Sequence, residues 1–373
     1  MEQKMERLAR KCILKIKPYV PGKPIEEVER ELGGYPDVTS GWEAIKLASN
    51  ENPFSPPSGV LKAIREYLPK LNRYPDDHGY YLTGALAKKY RVKQENIILG
   101  CGSDEIMELV SKTFLEPDEE VIFGDQSFVM YKIITQIMGG KPVAVPLKNY
   151  TYDLIAIRRA VTKKTKIVFI ANPNNPTGTI VCDKEVRQFI RNMPKNIIIV
   201  FDEAYAEYVE SKDYPRSLEI VQENRNCVML RTFSKICSLA GLRIGYGIAN
   251  PQLIACLNRV RLPFNTSNIA QVAALASLKE TKWMERIRRI NREEKKFLYS
   301  EFGKMGLEYI PSEANFILVK IGRDAPGAAQ GLLKKGIIVR VMTDFGFPEY
   351  VRVTIGRPVE NKKFVKALKQ CIS

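Results

Sequence analysis

Four polar side chains fall in one short loop between two apolar runs: Thr232, Ser234, Lys235 and Arg243. The runs at 226–230 and 244–249 predict buried strands, so the loop begins where a strand ends. A lysine enclosed at such an edge loses hydration and favours its neutral, nucleophilic form. Lys235 is therefore the candidate catalytic residue of the chain.

The same loop offers donors for an anion. The guanidinium of Arg243 and the hydroxyl groups of Thr232 and Ser234 suit a phosphate, because several donors converge on one group. An amine that can form a Schiff base beside a phosphate site indicates pyridoxal 5'-phosphate (PLP) as the cofactor. The loop alone would also fit an ordinary solvated lysine, so motifs elsewhere in the chain have to decide.

A glycine turn after predicted strand 96–99 provides further phosphate-binding groups. Its glycines let the backbone turn closely, and the amides of Ser103 and Asp104 at a helix N-terminus can hold a phosphate. Glu105 stands where a dinucleotide-binding fingerprint has its third glycine, which excludes a Rossmann NAD site. A plain helix cap by Ser103 or Asp104 is the alternative.

Two more motifs place polar side chains at strand ends. Strand 166–171 leads into a loop with two prolines and a glycine, which presents Asn175 rigidly to a ligand hydroxyl. Strand 197–201 is wholly apolar and ends in Asp202, and a carboxylate in such a place needs a cationic partner. A pyridinium nitrogen would serve, and a buried ion pair with an arginine is the alternative.

Phe128 opens the helix that follows strand 120–123. An aromatic ring at this edge of the sheet can stack on a planar cofactor ring, although burial in the core is the commoner use of such a residue. Phe128 is therefore a candidate for the cofactor site.

The elements that position these residues alternate along the chain. Helices are predicted at 58–68, 79–91, 104–115, 128–139, 153–161 and 183–192, and strands at 96–99, 120–123, 142–146, 166–171, 197–201, 226–230 and 244–249. Short apolar strands between helices predict an α/β fold with a mostly parallel sheet covered by helices.

The pattern changes after residue 265, where long helices over 268–303 precede short strands at 315–319, 337–341 and 351–355. This change predicts a second, smaller α+β unit. Three units are expected: an N-terminal arm with part of the small domain (1–45), a large PLP-binding domain (46–265) and a small C-terminal domain (266–373).

Composition limits the function classes. The chain has 373 residues, of which 45% are hydrophobic and 27% charged, and it contains no apolar run long enough to cross a bilayer. No secretory signal is found, and seven scattered cysteines predict reduced thiols and no metal site, so a cytoplasmic location is expected. His78 is the single histidine, which argues against Ser-His-Asp relays and histidine-based metal sites.

The net charge of +16 fits anionic small substrates, nucleic acid or an acidic partner. Lysines and arginines are spread along the chain, and clusters at 286–289 and 292–296 also fit a solvated helix face. Small-molecule substrates are therefore expected, with neither nucleic acid nor membrane as partner.

Eight motifs together carry a family resemblance, at residues 17–24, 49–53, 72–75, 102–105, 172–178, 202–205, 234–243 and 259–265. With them the chain resembles the fold-type-I PLP-dependent aminotransferases of class I/II, and among these it is most similar to histidinol-phosphate aminotransferases. Two departures, Cys101 in the glycine turn and the run 236–238 after the lysine, concern packing around the cofactor.

The resemblance implies a role for each cofactor-site residue. Lys235 is the Schiff-base lysine and proton shuttle, and Asp202 pairs with the pyridine nitrogen. Asn175 and Tyr205 hold the phenolic oxygen, and Phe128 stacks on the ring. The groups around the cofactor phosphate are Ser103, Asp104, Thr232, Ser234 and Arg243.

The resemblance also implies substrate and subunit contacts. Arg352 binds the carboxylate of the amino donor, and Tyr19 and Arg340 are further substrate-side groups. Tyr74 reaches the phosphate in the neighbouring subunit, which implies a homodimer with shared sites.

The implied reaction is amino transfer between L-histidinol phosphate and 2-oxoglutarate in histidine biosynthesis, which gives imidazole-acetol phosphate and L-glutamate. An aromatic or broad-specificity aminotransferase would share every cofactor residue. A PLP-dependent decarboxylase of a phosphorylated amino acid and a non-catalytic basic binding protein are further alternatives.

Overall fold

The computed structural model describes residues 6, 8–19, 22–31 and 44–372. Part of the predicted arm 1–45 lies outside these ranges, as do residues 20 and 21 of the first family motif. The described α-helices are α1 (Ile25–Glu31), α2 (Ser58–Tyr67), α3 (Tyr80–Tyr90), α4 (Gly102–Phe114), α5 (Met130–Ile137), α6 (Leu154–Ala160), α7 (Asp183–Asn192), α8 (Ser217–Glu223), α9 (Pro251–Asn258), α10 (Asn268–Ser277), α11 (Thr281–Lys304), α12 (Ala325–Lys334) and α13 (Pro358–Cys371).

The described strands form three sheets. They are β1 (Ile45–Lys46), β2 (Ile97–Gly100), β3 (Glu120–Gly124), β4 (Lys141–Val145), β5 (Thr165–Ala171), β6 (Ile198–Asp202), β7 (Cys227–Thr232), β8 (Gly245–Ala249), β9 (Tyr309–Ile310), β10 (Phe316–Lys320), β11 (Ile337–Ile338), β12 (Arg340–Val341) and β13 (Tyr350–Thr354).

The largest sheet has seven strands in the order β2–β8–β7–β6–β5–β3–β4. Only β8 runs against its neighbours, and the other adjacent strands pair in parallel. The predicted α/β fold with a mostly parallel sheet is therefore confirmed. Because parallel strands end at the same edge, the loops after β5, β6 and β7 meet there.

The central strands are apolar along almost their whole length. Phe169, Val200, Phe201 and Met229 are buried, as expected for parallel strands that helices cover on both faces. Helix α4 packs against β8, and α8 packs against β7. This packing fixes the strand ends from which the candidate site residues project.

A smaller antiparallel sheet has the order β12–β13–β10–β9, and β1 pairs in parallel with β11. Its own core contains Leu298, Phe302, Ile317, Val353 and Phe364, contributed by α11, α13 and the sheet. The division of the chain at residues 45 and 265 stays a prediction.

Two predicted elements differ in detail from the structure. The predicted strand 337–341 is divided at Val339, because the chain leaves its partner β1 there and pairs next with β13. The region 268–303 holds two helices, α10 and α11, that are separated at 278–280. Within the described ranges, no helix combines the length and apolar character needed to span a bilayer.

Candidate active site

A cavity of about 480 Å³ opens at the carboxyl ends of β5, β6 and β7. It brings together thirteen of the fourteen side chains that the sequence singled out: Tyr19, Ser103, Asp104, Phe128, Asn175, Asp202, Tyr205, Thr232, Ser234, Lys235, Arg243, Arg340 and Arg352. Residues from both ends of the chain therefore meet at one edge of the sheet.

Lys235 lies in the loop after β7 and points into the cavity. Its Nζ donates to the backbone oxygen of Ser49 at 3.3 Å and lies 5.6 Å from the centre of the Tyr205 ring. Asn52 Nδ2 donates to the backbone oxygen of Ile236 at 3.0 Å, so the segment after β1 holds the lysine loop in place. The amine is thus presented at a defined point.

Asp202 ends β6 as a buried carboxylate. The hydroxyl of Tyr131 donates to Oδ2 at 2.7 Å, and the backbone N–H of Ala204 donates to Oδ1 at 3.2 Å. Burial raises the pKa of Asp202 to about 6. Among the described residues no cation forms an ion pair with this carboxylate, so the alternative of a buried arginine pair is not found. The site fits a ligand that brings its own positive charge, as a pyridinium nitrogen does.

Cofactor-free protein should show the raised pKa of Asp202 in its stability. The carboxyl titrates near 3.8 when unfolded and near 6 when folded, so its stabilising contribution is present below about pH 4 and is lost as the pH rises through about 6. Two pKa units correspond to about 3 kcal/mol. Urea unfolding should show the stability of the natural protein falling by that amount relative to Asp202→Asn between pH 4 and 7. A difference that does not change with pH would contradict this assignment.

An anion site lies beside the lysine loop. Arg243 Nη1 is 3.5 Å from the Ser234 hydroxyl, and Nη2 is 3.2 Å from Asp104 Oδ2. Helix α4 begins at Gly102, where a Cβ would lie 2.6 Å from Arg243 Nη2. The glycine therefore lets the guanidinium approach the helix N-terminus, where Ser103 is buried.

Thr232 belongs to the same anion site. Its hydroxyl accepts a hydrogen bond from the Ser234 amide at 3.0 Å. Backbone amides at a helix N-terminus, hydroxyl groups and a guanidinium are the donors that a phosphate monoester uses. We call this set of donors, from Ser103, Asp104, Thr232, Ser234 and Arg243, the phosphate cradle. The phosphate group of PLP fits this cradle, and the ring nitrogen of PLP fits Asp202.

Arg352, on β13, is a buried cation. Its Nη1 donates to Asn175 Oδ1 at 2.5 Å, and Nη2 donates to the backbone oxygen of Ala48 at 2.6 Å. Its buried Nε has no hydrogen-bond partner among the described residues, and burial lowers the pKa of the guanidinium to about 10. A buried guanidinium held by neutral oxygens suits an anionic ligand, because such a ligand compensates the cost of burying the charge.

Tyr205 completes this side of the cavity. Asn50 Nδ2 donates to its hydroxyl at 2.9 Å, so the ring is held in position beside Lys235. Phe128 lies two residues before α5, and its ring meets that of Tyr131 edge-on at 5.8 Å. Phe128 therefore borders the cavity from a loop and not from the helix that the sequence predicted.

Tyr74 is the one predicted residue outside the cavity. Its side chain is 81% exposed, and its ring stacks on that of Phe264 at 4.7 Å. Both rings lie on the surface of this chain, and the role of Tyr74 stays a prediction.

Sequence reasoning missed three residues that hold the site: Ser49, Asn50 and Tyr131. Ser49 and Asn50 belong to a motif that supported the resemblance, but their partners lie far along the chain. Tyr131 comes three positions after Phe128 and is fully buried, with its ring stacked on Phe169 at 4.8 Å. An aromatic residue at that spacing was the available signal, and it also fits a core residue.

Comparison with known proteins decides the family. The family model of aminotransferase class I and II matches residues 43–368. The chain belongs to the class I and II aminotransferase family. Its cofactor is therefore PLP, whose two ends fit the cradle and Asp202 as described above, and the predicted enzyme class is confirmed.

Relatives of this aminotransferase match it over nearly its whole length. It is 48% identical to a histidinol-phosphate aminotransferase of Moorella thermoacetica, with 98% of this chain and 93% of the relative covered. It is 45% identical to a histidinol-phosphate aminotransferase of Caldicellulosiruptor saccharolyticus, with 97% and 99% covered. These matches confirm the resemblance that the sequence motifs indicated.

A crystal structure of histidinol-phosphate aminotransferase from Sinorhizobium meliloti in complex with PLP superimposes with a TM-score of 0.88. The identity is 26%, and the match covers 97% of each chain. The predicted fold-type-I architecture of this aminotransferase is therefore confirmed.

Proposed function

We propose that this aminotransferase transfers the amino group reversibly between L-histidinol phosphate and 2-oxoglutarate, as a step of histidine biosynthesis. The observation that carries the proposal is the pair of arginines, Arg340 and Arg352, that border one cavity with Lys235 and Asp202. The names of the relatives, at 45–48% identity over nearly full length, support the same reaction.

When bound, PLP supplies an electron-withdrawing ring that makes the α-proton of the substrate amine acidic. Nζ of Lys235 removes this proton from the substrate carbon and returns a proton during the second half of the reaction. Asp202 supplies the buried negative charge that favours a protonated ring nitrogen. Asn175 and Tyr205 would hold the phenolic oxygen of the cofactor.

The enzyme has to bind two unlike anions in turn. Glutamate carries an α-carboxylate, which Arg352 can bind with two parallel hydrogen bonds. Histidinol phosphate carries a phosphate ester in that region, and its larger charge and three oxygens need more donors. Arg340 and the hydroxyl of Tyr19, which border the same cavity, can supply them.

Removing the extra donors should therefore affect the two substrates differently. Arg340→Ala is expected to lower kcat/KM for histidinol phosphate by about 10- to 100-fold, the effect of one lost charged hydrogen bond. Tyr19→Phe should act in the same direction but less strongly. Single-turnover rates with glutamate should change much less, because Arg352 remains.

The substrate test begins with the unmodified enzyme. It should convert histidinol phosphate with 2-oxoglutarate faster than it converts phenylalanine or aspartate. Faster turnover of phenylalanine, or equal losses on both substrates in the Arg340→Ala enzyme, would favour an aromatic or broad-specificity aminotransferase. Carbon dioxide release from a phosphorylated amino acid would favour the decarboxylase alternative.

A homodimer with shared active sites is part of the proposal. Exposed apolar side chains close in sequence to Tyr74 or to its ring partner Phe264 support a contact surface: Leu68, Leu71, Tyr80, Tyr81 and Leu262. Tyr74 would reach from this surface to the phosphate cradle of the second subunit.

Mixed dimers should test the shared site. Chains carrying Tyr74→Ala and chains carrying Lys235→Ala are refolded together in equal amounts. If Tyr74 acts across the interface, half of the dimers contain one intact site, and about a quarter of the natural activity should return. Mixed dimers that are proven to form but stay inactive would place Tyr74 in the site of its own subunit. Tyr74→Ala homodimers that keep the natural activity would place it in neither site.

The proposal includes a cytoplasmic location, which the free state of all seven cysteines supports. It assigns the positive charge to anionic substrates and to the solvated surface, and not to nucleic acid. Binding of labelled DNA that weakens steeply with salt would contradict this part.

A further inference from the structure

The guanidinium of Arg340 lies over two aromatic rings that border the cavity. Its central carbon is 5.8 Å from the centre of the Tyr19 ring and 5.9 Å from the centre of the Phe345 ring. Tyr19 comes from the N-terminal segment, and Phe345 ends the short 3₁₀ turn that follows β12. Phe345, which none of the sequence motifs includes, borders the same cavity.

The side chain of Phe345 packs against a small apolar cluster. Leu318, Met342 and Tyr350 are the buried members of this cluster. The turn continues through Gly346, whose φ of +79° is the left-handed region that glycine adopts without strain. Because the ring packs against this cluster, its position does not depend on a bound substrate.

A fixed ring matters because Arg340 shares the cavity with a second cation. The positive charge of Arg340 contributes to lowering the pKa of Arg352, so the two guanidinium groups are close enough to repel each other. Repulsion favours rotamers that turn Arg340 away from the cavity. The negative faces of aromatic rings attract a guanidinium and counter this tendency.

We propose that Phe345 is a specificity-determining positioning residue, whose ring holds the guanidinium of Arg340 toward the cavity for a phosphate-bearing substrate. Glutamate, whose α-carboxylate is bound by Arg352, depends much less on it. The inference rests on the proposed function, since it deepens the account of how that site prefers one anion over another.

The variant Phe345→Leu keeps an apolar side chain on the cluster and removes the aromatic face. Loss of one cation–π contact should raise KM for histidinol phosphate by about three- to tenfold, with kcat within about twofold. KM for glutamate should change by less than about twofold. Phe345→Tyr, which keeps the aromatic face, should restore the natural values.

Phe347→Leu is the matched control. Phe347 lies two residues further along, its ring is 6.0 Å from that of Tyr150 and 5.5 Å from that of Tyr350, and it does not border the cavity. This variant makes the same chemical change in the same apolar cluster, so it measures the effect of disturbed packing. The ratio of the two KM values should stay natural in it.

A binding measurement separates this inference from the proposed function. Inorganic phosphate is titrated calorimetrically into each holoenzyme, in which the cofactor already fills the first phosphate site. Phosphate should bind about three- to tenfold more weakly to Phe345→Leu than to the natural enzyme or to Phe347→Leu. This result supports the inference even if the natural enzyme fails to convert histidinol phosphate, which would overturn the proposed function alone. Equal effects of Phe345→Leu and Phe347→Leu on phosphate affinity and on the KM ratio would overturn the role of Phe345.

Discussion

Replacing Lys235 with alanine is expected to reduce transamination by about 10³-fold or more. The amine is presented beside Tyr205 by a loop that the segment after β1 holds in place. No other lysine borders the cavity in the described part of the chain, so none can take over the proton transfer. Single-turnover rates with glutamate would measure the loss directly.

Lys235→Arg provides the control for charge. It keeps a cation next to the backbone oxygen of Ser49, but a guanidinium does not give up its proton near neutral pH. The arginine variant should therefore be nearly as inactive as the alanine variant. An arginine variant that retains most of the activity would show that only the positive charge of Lys235 matters.

Replacing Asp202 with asparagine should lower kcat by about 10²- to 10⁴-fold. The change keeps the shape of the side chain and its contacts with Tyr131 and Ala204, and it removes the buried negative charge that we propose faces the ring nitrogen of bound PLP. Losing one partner of a buried charge pair costs about 3–5 kcal/mol, and each 1.36 kcal/mol corresponds to tenfold in rate.

Tyr131→Phe is the matched control for Asp202. It removes the hydroxyl that donates to Oδ2 at 2.7 Å and leaves the carboxylate in place. A loss of about tenfold is expected, at the lower end of the roughly 1.5–3 kcal/mol that one hydrogen bond to a charged group contributes, because the carboxylate charge itself remains. Stopped-flow rates for both variants would show whether the charge of Asp202 or its hydrogen bond from Tyr131 contributes more to the rate. If Asp202→Asn loses no more than Tyr131→Phe, the charge is not what matters.

The sequence predicted those site residues that follow apolar strands. Asp202 stood out because a carboxylate directly after five apolar residues is costly without a partner, and Lys235 because its loop begins where a strand ends. The alternation of short apolar strands with helices was enough to predict the parallel sheet and hence the shared edge at which these residues meet.

Contacts between distant segments could not be predicted in this way. Asn50 and Tyr205 are 155 positions apart, and their hydrogen bond depends on how the segment after β1 crosses the sheet. Strand β1 has two residues, too few to show any alternation. The ring of Phe345 gains its relation to Arg340 only because β12 ends after two residues and the chain turns back. Local patterns carry no information about such crossings.

Reduction of the holoenzyme with borohydride, followed by peptide mapping, tests the central claim most directly. The claim is that Lys235 holds PLP covalently at the edge of the sheet, with Asp202 and the phosphate cradle at the two ends of the ring. One pyridoxyl group per chain is expected, on the peptide that contains Lys235. A pyridoxyl group on any other lysine, or none at all in yellow protein, would contradict the account.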